Sequence, residues 1–180
     1  MNQVLLGITG SIAAYKGAEI ANLLTKKGYG VQVILTAAAQ RFITPLTLQT
    51  LTKNKVYTGL FEDISYHDVR HISLAKNTDL ALIAPASANI IGKIASGIAD
   101  DMLSTVIMAI RDKPVLICPA MNTAMYENPI VRDNMAKLAG YGYRFVEPRE
   151  SLLACGDLGK GALADTRLIV DQVEELLAGT

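Results

Sequence analysis

The sequence predicts an α/β protein with a doubly wound parallel sheet and helices on both of its faces. Short runs that are apolar throughout, such as residues 4–8, 31–35 and 114–118, read as strands buried from both sides. Longer stretches with apolar residues at helical spacing separate them, which is the rhythm of βαβ crossovers. Small and polar residues gather directly after the strands, where sheets of this Rossmann-like or flavodoxin-like kind hold ligands.

Residues 4–8 make the first strand and end in Thr9-Gly10-Ser11; residues 12–27 follow with helical periodicity, closed by Gly28. Residues 31–35 are the second strand. Thr36 is placed to cap a helix through Ala37, Ala38, Ala39 and Phe42, and Pro45 restarts the chain for residues 46–51. Residues 52–70 carry no clear period. A short helix is expected at 71–76 and a third strand at 79–84, entering the turn Pro85-Ala86-Ser87-Ala88-Asn89 before another helix. Residues 101–111 read as helix, 114–118 as a fourth strand, 130–138 as helix, 143–146 as a fifth strand and 166–177 as the terminal helix. No repeat, low-complexity tract or linker divides the sequence, so residues 1–180 are expected to form one domain.

Composition narrows the function. The chain of 180 residues is 51% hydrophobic and 19% charged, enough apolar material for a sizeable core. Seventeen Lys plus Arg balance seventeen Asp plus Glu. No overall field therefore draws a polyanion, and neither nucleic acid nor a membrane surface is expected as a partner. Cys118 and Cys155 are too few for a disulfide framework, which fits a reducing cytoplasm. The first residues lack a basic leader and a small-residue cleavage site, so they read as the start of a strand. The apolar stretch 80–99 is interrupted by Pro85, Ser87, Asn89, Lys93 and Ser96, which favours strand plus helix over a membrane span.

The strand ends carry the chemistry. After the first strand, Gly10 permits close backbone approach, and Ser11 with the amide-rich start of a helix is suited to a phosphate. An ordinary tight βα turn would look the same. The full Gly-x-Gly-x-x-Gly fingerprint is absent, which favours a mononucleotide such as a flavin phosphate over a dinucleotide. Ser87 and Asn89 put a hydroxyl and a carboxamide at a second helix start on the same edge, either as ligands or as caps. The long connection Pro119-Ala120-Met121-Asn122-Thr123-Ala124-Met125 offers Asn122 to orient a carboxylate or amide, while Met121 and Met125 read as core packing. Ala154-Cys155-Gly156-Asp157-Leu158-Gly159-Lys160-Gly161 combines a thiol, a carboxylate, an amine and glycines, the composition of a mobile lid or of a plain surface loop. His67 and His71 are four apart near Asp68, but no third ligand completes a metal site and none is expected. A single His suits proton transfer. Neither a Gly-x-Ser-x-Gly elbow nor a Gly-x-x-x-x-Gly-Lys-Ser/Thr loop is present, so serine hydrolase and ATPase readings lack their signatures.

Taken together, Gly10-Ser11-Ile12-Ala13-Ala14-Tyr15-Lys16, His71-Ile72-x-Leu74, Pro85-Ala86-Ser87-Ala88-Asn89, Pro119-Ala120-Met121-Asn122-x-x-Met125 and Ala154-Cys155-Gly156-Asp157-x-Gly159-x-Gly161 resemble, in the same order, the motifs of the homo-oligomeric flavin-containing cysteine decarboxylases. The resemblance runs from about Val4 to Val170. It implies FMN as cofactor and a homotrimer with the flavin between subunits, often built into a dodecamer. By this resemblance Gly10, Ser11, Ile12, Thr36, Ser87, Asn89, Ser104 and Met121 bind FMN and His71 is the catalytic base. Asn122, Met125, Ala154, Gly156, Asp157 and Lys160 contact the substrate, and Cys155 returns a proton late in the reaction. The Ala-Cys-Gly-Asp segment is similar to the clamp of the branch acting on 4'-phospho-N-pantothenoylcysteine in coenzyme A biosynthesis. That branch decarboxylates its substrate through transient oxidation to a thioaldehyde. The alternatives are a peptidyl-cysteine decarboxylase, a flavin prenyltransferase-like enzyme and a non-catalytic regulatory flavoprotein. A phosphopantothenate–cysteine ligase, fused to this domain in some bacteria, is the expected protein partner. Ala162 and Ile90 depart from the family, standing where many members have Arg and Thr.

Overall fold

The computed structural model describes residues 1–61, 69–152 and 158–179. β1 (Gln3–Ile8), β2 (Gly30–Leu35), β3 (Val56–Tyr57), β4 (Leu80–Ala86), β5 (Val115–Pro119) and β6 (Arg144–Phe145) form one sheet in the order β3-β2-β1-β4-β5-β6. Every pairing in it is parallel. The winding reverses between β1 and β4. Alternation along the strands feeds two cores, one on each face. Leu6, Ile8, Val33 and Leu35 point to the face covered by α1 (Ala14–Lys26), α2 (Pro45–Thr52) and α8 (Thr166–Ala178). Leu5, Ile34, Ile83 and Ile117 point to the face covered by α3 (Arg70–Asn77), α4 (Ala88–Ser96), α5 (Met102–Ala109) and α7 (Pro129–Gly140). Burying a Leu or Ile side chain this completely stabilises the fold by roughly 1.5–3 kcal/mol each.

Helix starts follow their caps. Ser87 accepts from Ile90 N at the head of α4, and Asp101 with Ser104 forms a reciprocal capping box on α5. Asn128 caps α7, whose first residue is Pro129. The helix expected from Thr36 is instead a single 3-10 turn, Ala39–Arg41. Thr36 Oγ1 does accept from Ala39 N at 3.3 Å, but Pro45 holds Thr44 extended and stops the turn from continuing. α1 begins at Ala14, because residues 10–13 are used in the turn after β1.

Four elements lie where the sequence reading had none. β3 is too short to show a period. α6 (Thr123–Glu127) occupies the connection after β5. β7 (Arg149–Leu152) and β8 (Leu158–Ala162) pair antiparallel as a separate hairpin. Among the described residues, no helix is long and apolar enough to cross a membrane.

Candidate active site at the switch point

The turns after β1 and β4 meet where the winding reverses. Thr9, 2% exposed, ties them together: its hydroxyl donates to Pro85 O at 2.8 Å and accepts from Ser87 N at 2.9 Å. Its amide also donates to Pro85 O, at 3.3 Å, and Ser11 N donates to Thr9 O at 2.9 Å. The Ala84–Pro85 peptide is cis. A Cβ on Gly10 would sit 2.5 Å from the Ala38 Cβ, so only glycine lets this turn lie against the turn after β2.

Above these turns opens a cleft of about 590 Å³, the size of small-molecule sites. Gly10, Ser11, Ile12, Ser87 and Ala88 form its base. Tyr15 and Lys16 of α1 and Met121, Asn122 and Met125 after β5 form two walls. Arg149 and Ser151 of β7, with Gly161 and Ala162 of β8, form the third. Asn122 also caps α6, its Oδ1 accepting from Ala124 N at 2.9 Å.

The hairpin docks through backbone contact. Met121 N donates to Gly161 O at 3.0 Å. A Cβ on Gly159 would overlap Thr123 Oγ1, and one on Gly161 would overlap the Met121 carbonyl oxygen. These two glycines therefore serve close approach, a role different from the lid flexibility their composition suggested. Lys160 between them turns to Glu147 Oε2 at 2.7 Å, and the Tyr126 hydroxyl donates to the same oxygen at 2.6 Å. Lys160, then Tyr126, hold the Glu147 carboxyl below its ordinary range, while burial and then Glu147 push the Tyr126 phenol up.

Two cations face the cleft. Burial first, and then the Arg149 guanidinium, lower the pKa of Lys16, against the opposing pull of Glu19 and Asp165. Neither Lys16 nor Arg149 is ion-paired to a described residue. Cys118 is fully buried in β5, and burial pushes its thiol far up, so it is unreactive.

Of the residues expected at the site, Gly10, Ser11, Ile12, Ser87, Met121, Asn122 and Met125 are brought together on this cleft. Asn89 is exposed on the first turn of α4, next to the lining but outside it. Thr36 lines a second hollow of about 200 Å³ beyond β2, with Phe61 and Asp101 among its neighbours. Ser104 is fully buried, its hydroxyl bonded to the Asp101 backbone, and lines neither space. His71 is half-buried in the first turn of α3 and also lines neither. Lys160 is an anchor of the hairpin and not a wall of the cleft. Ala154, Cys155, Gly156, Asp157 and His67 lie outside the described residues. Sequence reasoning missed Lys16, Arg149 and Ser151 as lining residues and Thr9 beneath them. Lys16 closes the first motif of the family resemblance; for the others the available signal was position alone, Thr9 directly after a strand end, Arg149 and Ser151 shortly before the Ala-Cys-Gly-Asp segment.

A parallel sheet wound outward from β1 and β4, with hydroxyl-bearing turns under a cleft at the reversal, defines a doubly wound protein that binds a small phosphorylated molecule. The chain belongs to the Flavoprotein family, whose model matches residues 1–178. It is 49% identical over 176 residues to a probable phosphopantothenoylcysteine decarboxylase of Streptococcus mutans, covering 97% of this chain and 98% of that one. It is 46% identical to the coenzyme A biosynthesis bifunctional protein CoaBC of Bacillus subtilis, covering 97% of this chain but 43% of that one. Among solved structures, a PPC decarboxylase variant complexed with pantothenoylaminoethenethiol matches with a TM-score of 0.87 at 33% identity, covering 97% of both chains. The FMN binding protein AtHal3 matches with a TM-score of 0.87 at 32% identity, covering 99% of this chain and 98% of that one.

Proposed function

We propose that this protein is an FMN-dependent phosphopantothenoylcysteine decarboxylase, which converts 4'-phospho-N-pantothenoylcysteine to 4'-phosphopantetheine in coenzyme A biosynthesis. The observation that carries the reading is the single cleft that joins the Ser11 and Ser87 turns to Asn122 and to the hairpin flanking the Cys155 segment. FMN suits its base: Gly10 admits close approach, and the starts of α1 and α4 offer amides and hydroxyls for a phosphate. Gly10, Ser11, Ile12, Ser87 and Met121 would hold it, with Thr36, Asn89 and Ser104 assigned by family resemblance. When bound, FMN supplies a two-electron acceptor, which an N-acylated cysteine needs because its nitrogen cannot take up the charge left by carbon dioxide.

The chain's own groups do the rest. Asn122, fixed at the head of α6, presents its amide to the substrate carboxylate. Met125 packs against the substrate. Lys16 and Arg149 place positive charge where the cleft can receive the substrate phosphate. The β7–β8 hairpin covers one side and limits water. His71 accepts a proton at the start and Cys155 returns one at the end. In a homotrimer with the flavin between subunits, His71 of one copy serves the cleft of the next, which accounts for its place away from its own cleft; four such trimers would give the dodecamer. We read residues 1–180 as one cytoplasmic domain that works beside a phosphopantothenate–cysteine ligase. A visible absorption spectrum of the purified protein, followed by mass detection of carbon dioxide loss from 4'-phospho-N-pantothenoylcysteine, tests the proposal. A colourless protein that gains nothing from added FMN would refute it.

A further inference from the structure

A hydroxyl has one proton to give and two lone pairs to receive, and Thr9 uses both functions across the switch point. It donates to Pro85 O at 2.8 Å and accepts from Ser87 N at 2.9 Å, reaching 76 and 78 residues along the sequence. Ser87 is the cap of α4, and its own hydroxyl takes Ile90 N. On the other side, Thr9 O receives Ser11 N at 2.9 Å, and Ser11 Oγ receives Ala13 N at 3.3 Å. Ser11 and Ser87, two of the serines lining the cleft, therefore each give their backbone amide to the same buried residue.

We infer that Thr9 is the positioning residue of the cofactor end of the cleft, its hydroxyl fixing the Ser87 turn against the Ser11 turn. The inference rests on the reading that this end receives FMN. Without the hydroxyl, Ser87 N keeps its place only as an unpaired amide, which is costly away from water. The turn shifts to find another acceptor, and the cap of α4 moves with it. Valine keeps the shape of Thr9 and removes the hydroxyl; serine keeps the hydroxyl and removes a methyl group.

The test compares purified wild-type holoprotein with Thr9→Val and Thr9→Ser, following FMN release on dilution and hydrogen exchange of the Ser87 amide. Thr9→Val is expected to weaken FMN retention on the order of tenfold and to expose the Ser87 amide, while Thr9→Ser stays within about threefold of wild type. Equal retention in all three proteins overturns the inference, as does an equal loss in Val and Ser, which would assign the effect to packing. Should Thr9→Val fail to fold, Thr9→Ala against Thr9→Ser isolates the hydroxyl in the same way. A wild-type protein that holds no FMN sinks the functional reading alone. The Ser87 amide then still decides the role of Thr9: protected in wild type and Ser but not in Val supports it, and equal protection throughout overturns it.

Discussion

The Tyr126 hydroxyl donates to Glu147 Oε2 at 2.6 Å, and this bond joins α6 to the segment that leads into the hairpin. Lys160 completes the arrangement from β8 at 2.7 Å, and the Arg132 guanidinium stands 5.2 Å from the centre of the Tyr126 ring. The two contacts on one oxygen differ in weight. The ion pair is 40% and 61% exposed at its two side chains, so solvent screens it to below about 0.5 kcal/mol. Tyr126 is 2% exposed, and although its hydroxyl meets the same half-solvated carboxylate, the bond needs no long side chain to be ordered and counts for about 1 kcal/mol. Urea unfolding is expected to show Tyr126→Phe clearly less stable and Lys160→Met nearly unchanged. A Lys160 effect as large as that of Tyr126 would contradict this ranking.

Gly161 supports a sharper expectation. A Cβ there would overlap the Met121 carbonyl oxygen, which is backbone and has no rotamer to escape into. Gly161→Ala is expected to lift β8 from Met121, destabilise by roughly 1–3 kcal/mol and raise KM, since both segments wall the cleft. Gly140→Ala is the control: nothing lies within 4 Å of the place its added methyl group would take, and it ends the regular helix α7. That change should leave stability within about 0.5 kcal/mol of wild type or slightly above it. Thermal unfolding and initial rates on both variants check the pair.

How far the sequence reveals this molecule depends on the range of the interaction concerned. The long strands and their alternation with helices are legible because burial on both faces leaves continuous apolar runs, as in β4 and β5. Ser87 and Asn122 are legible as polar residues after strands, although each also caps a helix. The hairpin is hidden because Gly159 and Gly161 erase the strand pattern, and their reason for being glycine lies far back along the chain, at Thr123 and Met121. Lys160 sits within a substrate-binding motif by resemblance, yet its ammonium is taken by Glu147. No local pattern announces which carboxylate a lysine will meet. Thr9 is just one more small residue before a glycine until Pro85 and Ser87 are brought beside it.

Acid should act through Asp101. Burial raises its pKa, but Lys93 at 2.7 Å and the Ser104 amide at 2.8 Å outweigh that, and the net shift is downward. A carboxyl whose folded pKa is depressed adds stability that is present above its unfolded pKa of about 3.9 and is lost as pH falls through the folded value. Asn at the same position still caps α5 but carries no charge to lose. At neutral pH, Asp101→Asn is expected to be less stable by about 1 kcal/mol, and the gap should narrow as pH falls below about 3.9 and close once it passes the depressed folded value. Urea midpoints taken across that range provide the check; a gap independent of pH would assign the effect to the cap alone.

Arg149 is where substrate choice can be tested apart from chemistry. It and Lys16 bring two like charges into one cleft, and the Lys16 pKa is lowered by burial first and then by that repulsion. A bound phosphate dianion would relieve the repulsion and would be held by charge-assisted bonds, of which a guanidinium can offer two in parallel. A neutral alcohol in its place would gain none of this. Arg149→Gln is therefore expected to raise KM for 4'-phospho-N-pantothenoylcysteine on the order of tenfold and to leave KM for unphosphorylated N-pantothenoylcysteine within about twofold. FMN content should not change, because Arg149 stands on the hairpin wall and the Ser11 and Ser87 turns form the base. Added salt should weaken binding of the phosphorylated substrate in the wild type and do so less in the variant. If both substrates suffer equally, Arg149 shapes the hairpin; if FMN is lost, the two cations hold the cofactor's phosphate and the substrate's must be received elsewhere.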